Sequence, residues 1–183
     1  MERLYIQKMR VQEHLKLSTI AAAVAFPWLG KDVWIPFAAS IFIDVDHYIW
    51  HILTQRTLSL RSAISYFGQA DPPQTVGAKF LHHPLVLGVL LFLAVRWRSR
   101  LLGLILAGLL FHVCLDAIHI SWMGYLKRSL SEQAGHSCSE CGQRVEALQL
   151  HTLHFAGNLL DRYNPVHFVV LCPTCHEKAH RRV

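Results

Sequence analysis

Residues 101–120 read LLGLILAGLLFHVCLDAIHI. The stretch is apolar on every side except at His112, Asp116 and His119, the pattern of a helix buried in a bundle core or in lipid. At 100° per residue those three groups fall on one arc of about 60°. Ionisable groups are costly to hold in such a helix, which makes them functional candidates. A helix that is greasy all round and carries one acid-plus-imidazole stripe points to an all-α membrane helical bundle with a site in its core.

Working outward, three more apolar segments cover residues 17–30, 33–52 and 80–97, so about four apolar helices are expected. A bilayer crossing takes about 20 residues, and the first and third segments reach that only with their flanks. Pro27 and Pro36 mark the turn between the first two, or kink their ends. Residues 53–79, with Gly68, Pro72, Pro73 and Gly77, read as a connecting loop holding one amphipathic helix. The whole chain agrees: 52% of its 183 residues are hydrophobic and only 16% charged, which excludes a disordered chain or a coiled coil.

The net charge of +6 carries less information. Residues 1–125 hold 11 Lys/Arg against 7 Asp/Glu, and residues 126–183 hold 7 against 5, so neither part is a strong basic patch. Placement matters more. With the N-terminus inside, the inner side holds Arg3, Lys8, Arg10, Lys16, Arg56, Arg61, Lys79, Lys127 and Arg128, and the outer side Lys31, Arg96, Arg98 and Arg100. This excess predicts a multi-pass protein of the inner (cytoplasmic) membrane, in contact with the lipid bilayer, with both termini cytoplasmic.

The second segment ends in IDVDHYIWH at residues 43–51. Asp44, His47 and His51 share one helix face, and Asp46 joins them only if the helix breaks. The third opens with His82-His83-Pro84; adjacent residues point about 100° apart, so which imidazole turns inward stays open. His14 precedes the first. In an up-down-up-down bundle all these positions lie at one end. The candidate metal ligands are therefore His14, Asp44, Asp46, His47, His51, His82, His83, His112, Asp116 and His119. Mixed imidazole and carboxylate donors suit one or two ions of Zn2+, Mn2+ or Fe2+ rather than calcium. Such ions acidify water and hold phosphoester oxygens. A proton pathway and plain structural pairing of polar groups are the competing explanations.

On these motifs the chain resembles the inner-membrane-associated metal-dependent hydrolase family whose bacterial prototype is LexA-regulated. The family's His ahead of the first helix and the small hydroxyl residue after it match His14 and Ser18. Its Asp-x-Asp-His matches Asp44, Asp46 and His47, and its His-x-x-x-Asp matches His112 and Asp116. The resemblance covers residues 10–120. It implies a metal-dependent hydrolase. Where the family reads His-Arg-Gly-x-Thr-His-Ser, this chain has only His82-His83-Pro84.

Residues 1–125 thus read as the helical domain, 126–137 as a linker and 138–183 as a small module. Cys138-x-x-Cys141 and Cys172-x-x-Cys175 supply four thiolates for one tetrahedral structural Zn2+. Residues 147–152 read as a strand, and residues 171–180 as a knuckle followed by a helix. The tail is similar to the zinc-stapled HNH endonucleases, and the resemblance implies a ββα-like HNH or zinc-ribbon module. His151 takes the first His, which binds the catalytic metal in that family, and His176 and His180 take the later ones. The general base falls on Thr152 and the Asn on His167. A threonine cannot accept a proton at neutral pH as an imidazole does, and His154 returns to the same strand face at another depth. A binding or structural role for the tail is therefore expected over nucleic-acid cleavage.

The functional expectation is a membrane-bound metal-dependent hydrolase of phosphoesters at the cytoplasmic membrane interface, with a structural-zinc tail. Asp44, His47, His112 and Asp116 are its foremost ligands. The alternatives are a membrane-tethered HNH-type nuclease acting on nucleic acid through the C-terminal module, and a non-enzymatic adaptor whose zinc module binds a partner.

Overall fold

The first apolar segment folds as α1, Val11–Leu29, with Pro27 inside its final stretch. A one-turn 3-10 helix, Gly30–Val33, leads into α2, Trp34–Phe42. The computed structural model describes Met9 and residues 11–67, 79–153 and 161–181. Arg3, Lys8, Arg10, Gly68, Pro72, Pro73, Gly77 and His154 lie outside the described residues.

The second segment is not one helix. The ladder breaks at Ile43 and Asp44, where Asp44 has ψ near 0° and the His47 amide bonds back only three residues to the Asp44 carbonyl at 3.1 Å. Helix α3 then runs Val45–Gln55 and stops at Arg56 in the left-handed conformation. Helix α4, Leu60–Phe67, is the short amphipathic helix of the connecting region, and it packs against α3. Helix α5, Pro84–Arg96, starts on Pro84, whose missing N–H and fixed φ suit a first turn. Helix α6, Arg100–Gln133, runs for 34 residues.

The chain is mostly helical, but the expectation of a membrane bundle of about four apolar helices needs correction. Among the described residues only α6 is long and apolar enough to cross a membrane. The Asp44 break divides the second segment into helices of 9 and 11 residues. The 13 residues of α5 reach about 20 Å at 1.5 Å each, short of a hydrocarbon layer about 30 Å thick. Helix α1 is 19 residues long, yet Glu13, His14 and Lys16 occupy its first turns. In α6 only 22% of the most apolar window is buried. The presumed linker 126–137 is helical as far as Gln133.

The chain divides into two compact units, Met9–Ala117 and, among the described residues, Ile118 onward. The division falls within α6. In the first unit Ile43, Leu87, Leu106 and Leu109 are buried together, so the α2–α3 break, α5 and α6 share one core. Gly108 permits a close approach there: a Cβ on it would stand 2.2 Å from the Pro36 carbonyl oxygen and 2.9 Å from the Ala39 Cβ.

In the second unit β1, Gln149–Thr152, pairs antiparallel with β2, Phe168–Leu171, in the register Leu150 to Val170. Helix α7, Pro173–Arg181, follows and packs on both strands. The strand–strand–helix order agrees with the sequence reading of the tail. Leu148, Val170 and Leu171 form a small core with Cys138, Cys172 and Cys175. The first knuckle turns through Gly142 at φ +72°, whose N–H bonds the Cys138 carbonyl at 2.9 Å.

Candidate metal centres

Within Met9–Ala117, seven of the predicted ligands converge. His14 comes from the first turns of α1 and Asp44 from the α2–α3 break. Asp46 and His47 come from the start of α3, His82 from the turn before α5, and His112 and Asp116 from α6. The break is what brings Asp44 and Asp46 to the same place. On a continuous helix, residues two apart diverge by about 200°.

The distances form a chain. His14 Nε2 lies 3.1 Å from Asp116 Oδ1, and the His14 ring stacks on that of His112 with centroids 3.9 Å apart. His112 Nε2 stands 3.6 Å from both Asp116 Oδ2 and Asp44 Oδ1. His82 Nε2 is 3.5 Å from Asp44 Oδ1, while His82 Nδ1 is 3.3 Å from Asp46 Oδ2. His47 Nδ1 completes the set at 2.5 Å from Asp46 Oδ1. Three overlapping groups have ligand atoms close enough to share an ion: His14, His112 and Asp116; Asp44, His82 and His112; Asp46, His47 and His82.

The residues fit a metal. His112 is 1% exposed and its Nδ1 donates to the Ser40 carbonyl at 2.7 Å, yet its Nε2 has no hydrogen-bond partner among the described residues. A buried ring nitrogen without a partner costs about 1–3 kcal/mol, a cost that ligation removes. His14 Nδ1 is likewise buried and has no hydrogen-bond partner among the described residues. The accessible members are Asp44 and Asp116, whose side chains are 34% and 35% exposed.

Three predicted ligands lie elsewhere. His83 is exposed and caps α5, its Nδ1 accepting the Leu85 N–H at 3.2 Å, so His82 is the imidazole that turns inward. His51 is buried one turn beyond His47, with its ring 5.3 Å from that of Tyr66 on α4. His119 belongs to the other unit, where its Nδ1 lies 3.1 Å from the Tyr163 hydroxyl. None of the three joins a group of potential ligands among the described residues. The sequence reading missed Ser40, which acts through its backbone carbonyl. No residue pattern advertises a carbonyl.

In the second unit Cys138, Cys141, Cys172 and Cys175 gather closely enough to hold one ion, with Cys141 Sγ and Cys172 Sγ 3.8 Å apart. All are free thiols. Burial pushes the Cys138 thiol up, but the backbone amides of Cys141, Cys172 and Glu140 outweigh it and bring the thiol down to about 6. That favours the thiolate a metal requires.

A second group in this unit joins His151 on β1 with His176 and His180 on α7, their ring centroids 4.6 to 5.1 Å apart. Burial, then the neighbouring charges of His180 and His151, lower His176 to about 4, so it is neutral and ready to ligate at physiological pH. Burial and His180 lower His151 as well. His167 closes a 3-10 turn and joins no such group among the described residues; its carbonyl accepts the Leu153 N–H at 2.8 Å.

Comparison with family models, with curated proteins and with solved structures finds no match for this chain.

Proposed function

We propose that the chain is a membrane-bound, metal-dependent hydrolase of phosphoesters, with its centre at Asp44, His82 and His112, flanked by Asp116 beside His112, and a structural zinc in its tail. The observation that carries this reading is the spacing around Asp44. Two ligand atoms bound at 2.0–2.1 Å to a tetrahedral ion are about 3.3 Å apart. Asp44 Oδ1 sits 3.5 and 3.6 Å from two imidazole nitrogens, and His112 Nε2 sits 3.6 Å from Asp116 Oδ2. These gaps are long for hydrogen bonds and close to what a shared ion needs.

A divalent ion there would acidify a bound water and neutralise phosphoester oxygens. The chain's own groups do the rest. The Ser40 carbonyl fixes the His112 ring. His14 holds Asp116 Oδ1 and leaves Oδ2 facing His112. Asp44 and Asp116 are the side from which water and substrate reach the centre, because the imidazoles behind them are largely buried. The donor set suits Zn2+, Mn2+ or Fe2+. Thiolates 3.8 Å apart match the separation of about 3.8 Å that Zn–S bonds of 2.3 Å impose on a tetrahedron. The length, apolar composition and exposure of α6 support contact with a membrane.

The test is metal analysis and phosphoester hydrolysis on the full-length protein in detergent, using bis-p-nitrophenyl phosphate as substrate. The reading expects an ion beyond that of the tail, lost together with hydrolysis in Asp44→Ala. Tail zinc alone, with no ester hydrolysed, would leave the adaptor reading standing instead.

The His151, His176 and His180 group favours a second reading, a tethered nuclease. Thr152 occupies the place where a base would be needed, which argues for binding of nucleic acid rather than its cleavage. Metal-dependent nicking of DNA that disappears in His151→Ala would reverse that preference.

A further inference from the structure

We infer that Asp46 is a positioning residue for the bundle metal rather than one of its ligands: it holds His82 so that Nε2 faces the ion. This rests on the metal-centre reading above and deepens it. Asp46 is buried, and both of its oxygens are engaged by the protein. Oδ1 meets His47 Nδ1 at 2.5 Å, while Oδ2 accepts the Leu81 N–H at 2.9 Å and faces His82 Nδ1 at 3.3 Å. A carboxylate that already receives a backbone N–H and two ring nitrogens has little capacity left for a cation.

The His82 ring supplies the second half of the argument. A neutral imidazole carries one N–H, and the ionised carboxylate at Nδ1 can only accept, so the proton sits on Nδ1. The lone pair is then on Nε2, which lies 3.5 Å from Asp44 Oδ1. His112 repeats the device with a different acceptor: its Nδ1 donates to the Ser40 carbonyl, and its Nε2 lies 3.6 Å from the same Asp44 oxygen. Two imidazoles, each fixed through Nδ1, thus present Nε2 to one carboxylate oxygen. Carboxylate–histidine–metal relays of this kind set the tautomer and raise the basicity of the ligand.

Asp46 also ties two elements together. It sits in the first turn of α3, and its bond to the Leu81 amide anchors the turn that leads into α5. A ligand role through Oδ2 would compete with that amide in a buried setting, where an unpaired backbone donor costs about 1–3 kcal/mol, and one through Oδ1 would compete with His47.

The competing arrangement is a second ion held by Asp46, His47 and His82, whose ligand atoms also approach closely enough. Cobalt(II) titration of the full-length protein, with its tail site intact, separates the two. The wild type is expected to hold one cobalt ion in the bundle, and Asp44→Asn none. Asp46→Asn, which keeps the volume and an acceptor oxygen, is expected to keep that one ion with affinity weakened roughly 10- to 100-fold. Its cobalt absorption bands should stay at the wild-type positions, since the ligands are unchanged. Helical content and thermal midpoint of the metal-free variant report whether it folds, and Asp46→Glu serves as the alternative if the amide does not. Two bundle ions in the wild type, or bands displaced in Asp46→Asn, would make Asp46 a ligand and overturn the inference while the metal centre stands. No bundle ion in the wild type would overturn both.

Discussion

His14 Nε2 lies 3.1 Å from Asp116 Oδ1 across 102 residues of sequence, with the His14 ring stacked 8° from parallel on that of His112. The start of α1 is thereby fastened to the turn of α6 that carries both an acid and an imidazole of the candidate centre. Removing His14 would free Asp116 and expose one face of the His112 ring. Several consequences of this packing can be measured.

Asp44→Ala should abolish the bundle ion, because Asp44 Oδ1 lies within 3.9 Å of ring nitrogens of His47, His82 and His112 together. Hydrolysis should fall by about 100-fold or more, the order lost when one group that stabilises the transition state is removed. The tail ion should be untouched. Elemental analysis of the purified variant decides it; a variant that keeps its full metal content refutes the assignment.

His82→Ala and His83→Ala should behave differently despite being neighbours. The first removes an imidazole facing both Asp44 and Asp46 and should lose the bundle ion. The second removes a helix cap from an exposed position, worth about 0.5–2 kcal/mol, and should leave metal content unchanged. Equal metal loss in both would contradict the side-chain placement.

Gly108→Ala should cost stability out of proportion to one methyl group. The new Cβ meets the Pro36 backbone 2.2 Å away, so α2 and α6 must separate. Overpacking of this kind costs about 1–3 kcal/mol. Ser40 lies one turn along α2 from Pro36, and its carbonyl holds His112, so affinity for the bundle ion should fall as well. Thermal unfolding and metal titration read the two effects, and a variant normal in both would rule out the close approach.

Cys172→Ser should release the tail ion and open the tail, since Cys172 is both a thiol of the cluster and a member of its small core. A structural zinc contributes on the order of 10 kcal/mol to folding modules of this size. Limited proteolysis should then cut within 138–181 while the bundle ion persists. Loss of both ions together would show that the two centres are not independent.

Much of this was legible in the residues. The stripe of His112 and Asp116 in an apolar run, and the two Cys-x-x-Cys pairs, are local patterns whose spacing is enforced by helix and knuckle geometry. The same reasoning placed His51 and His119 with the centre because they share a helical face with true members of the cluster. A shared face does not settle which neighbour packs on it. His51 meets Tyr66, and His119 meets Tyr163 from a segment over 40 residues downstream.

Composition and periodicity alone determined that the chain is helical, that imidazoles and carboxylates recur in its apolar segments, and that four thiols close a small tail. Only the tertiary structure decided that the second segment breaks at Asp44, which lets Asp44 and Asp46 serve one site. It also chose His82 over His83 and gave Ser40 its part through a carbonyl. The reason is physical: residue type and spacing set what a segment can do with its own neighbours, whereas the direction of a ring nitrogen depends on which distant acceptor the packed chain places beside it.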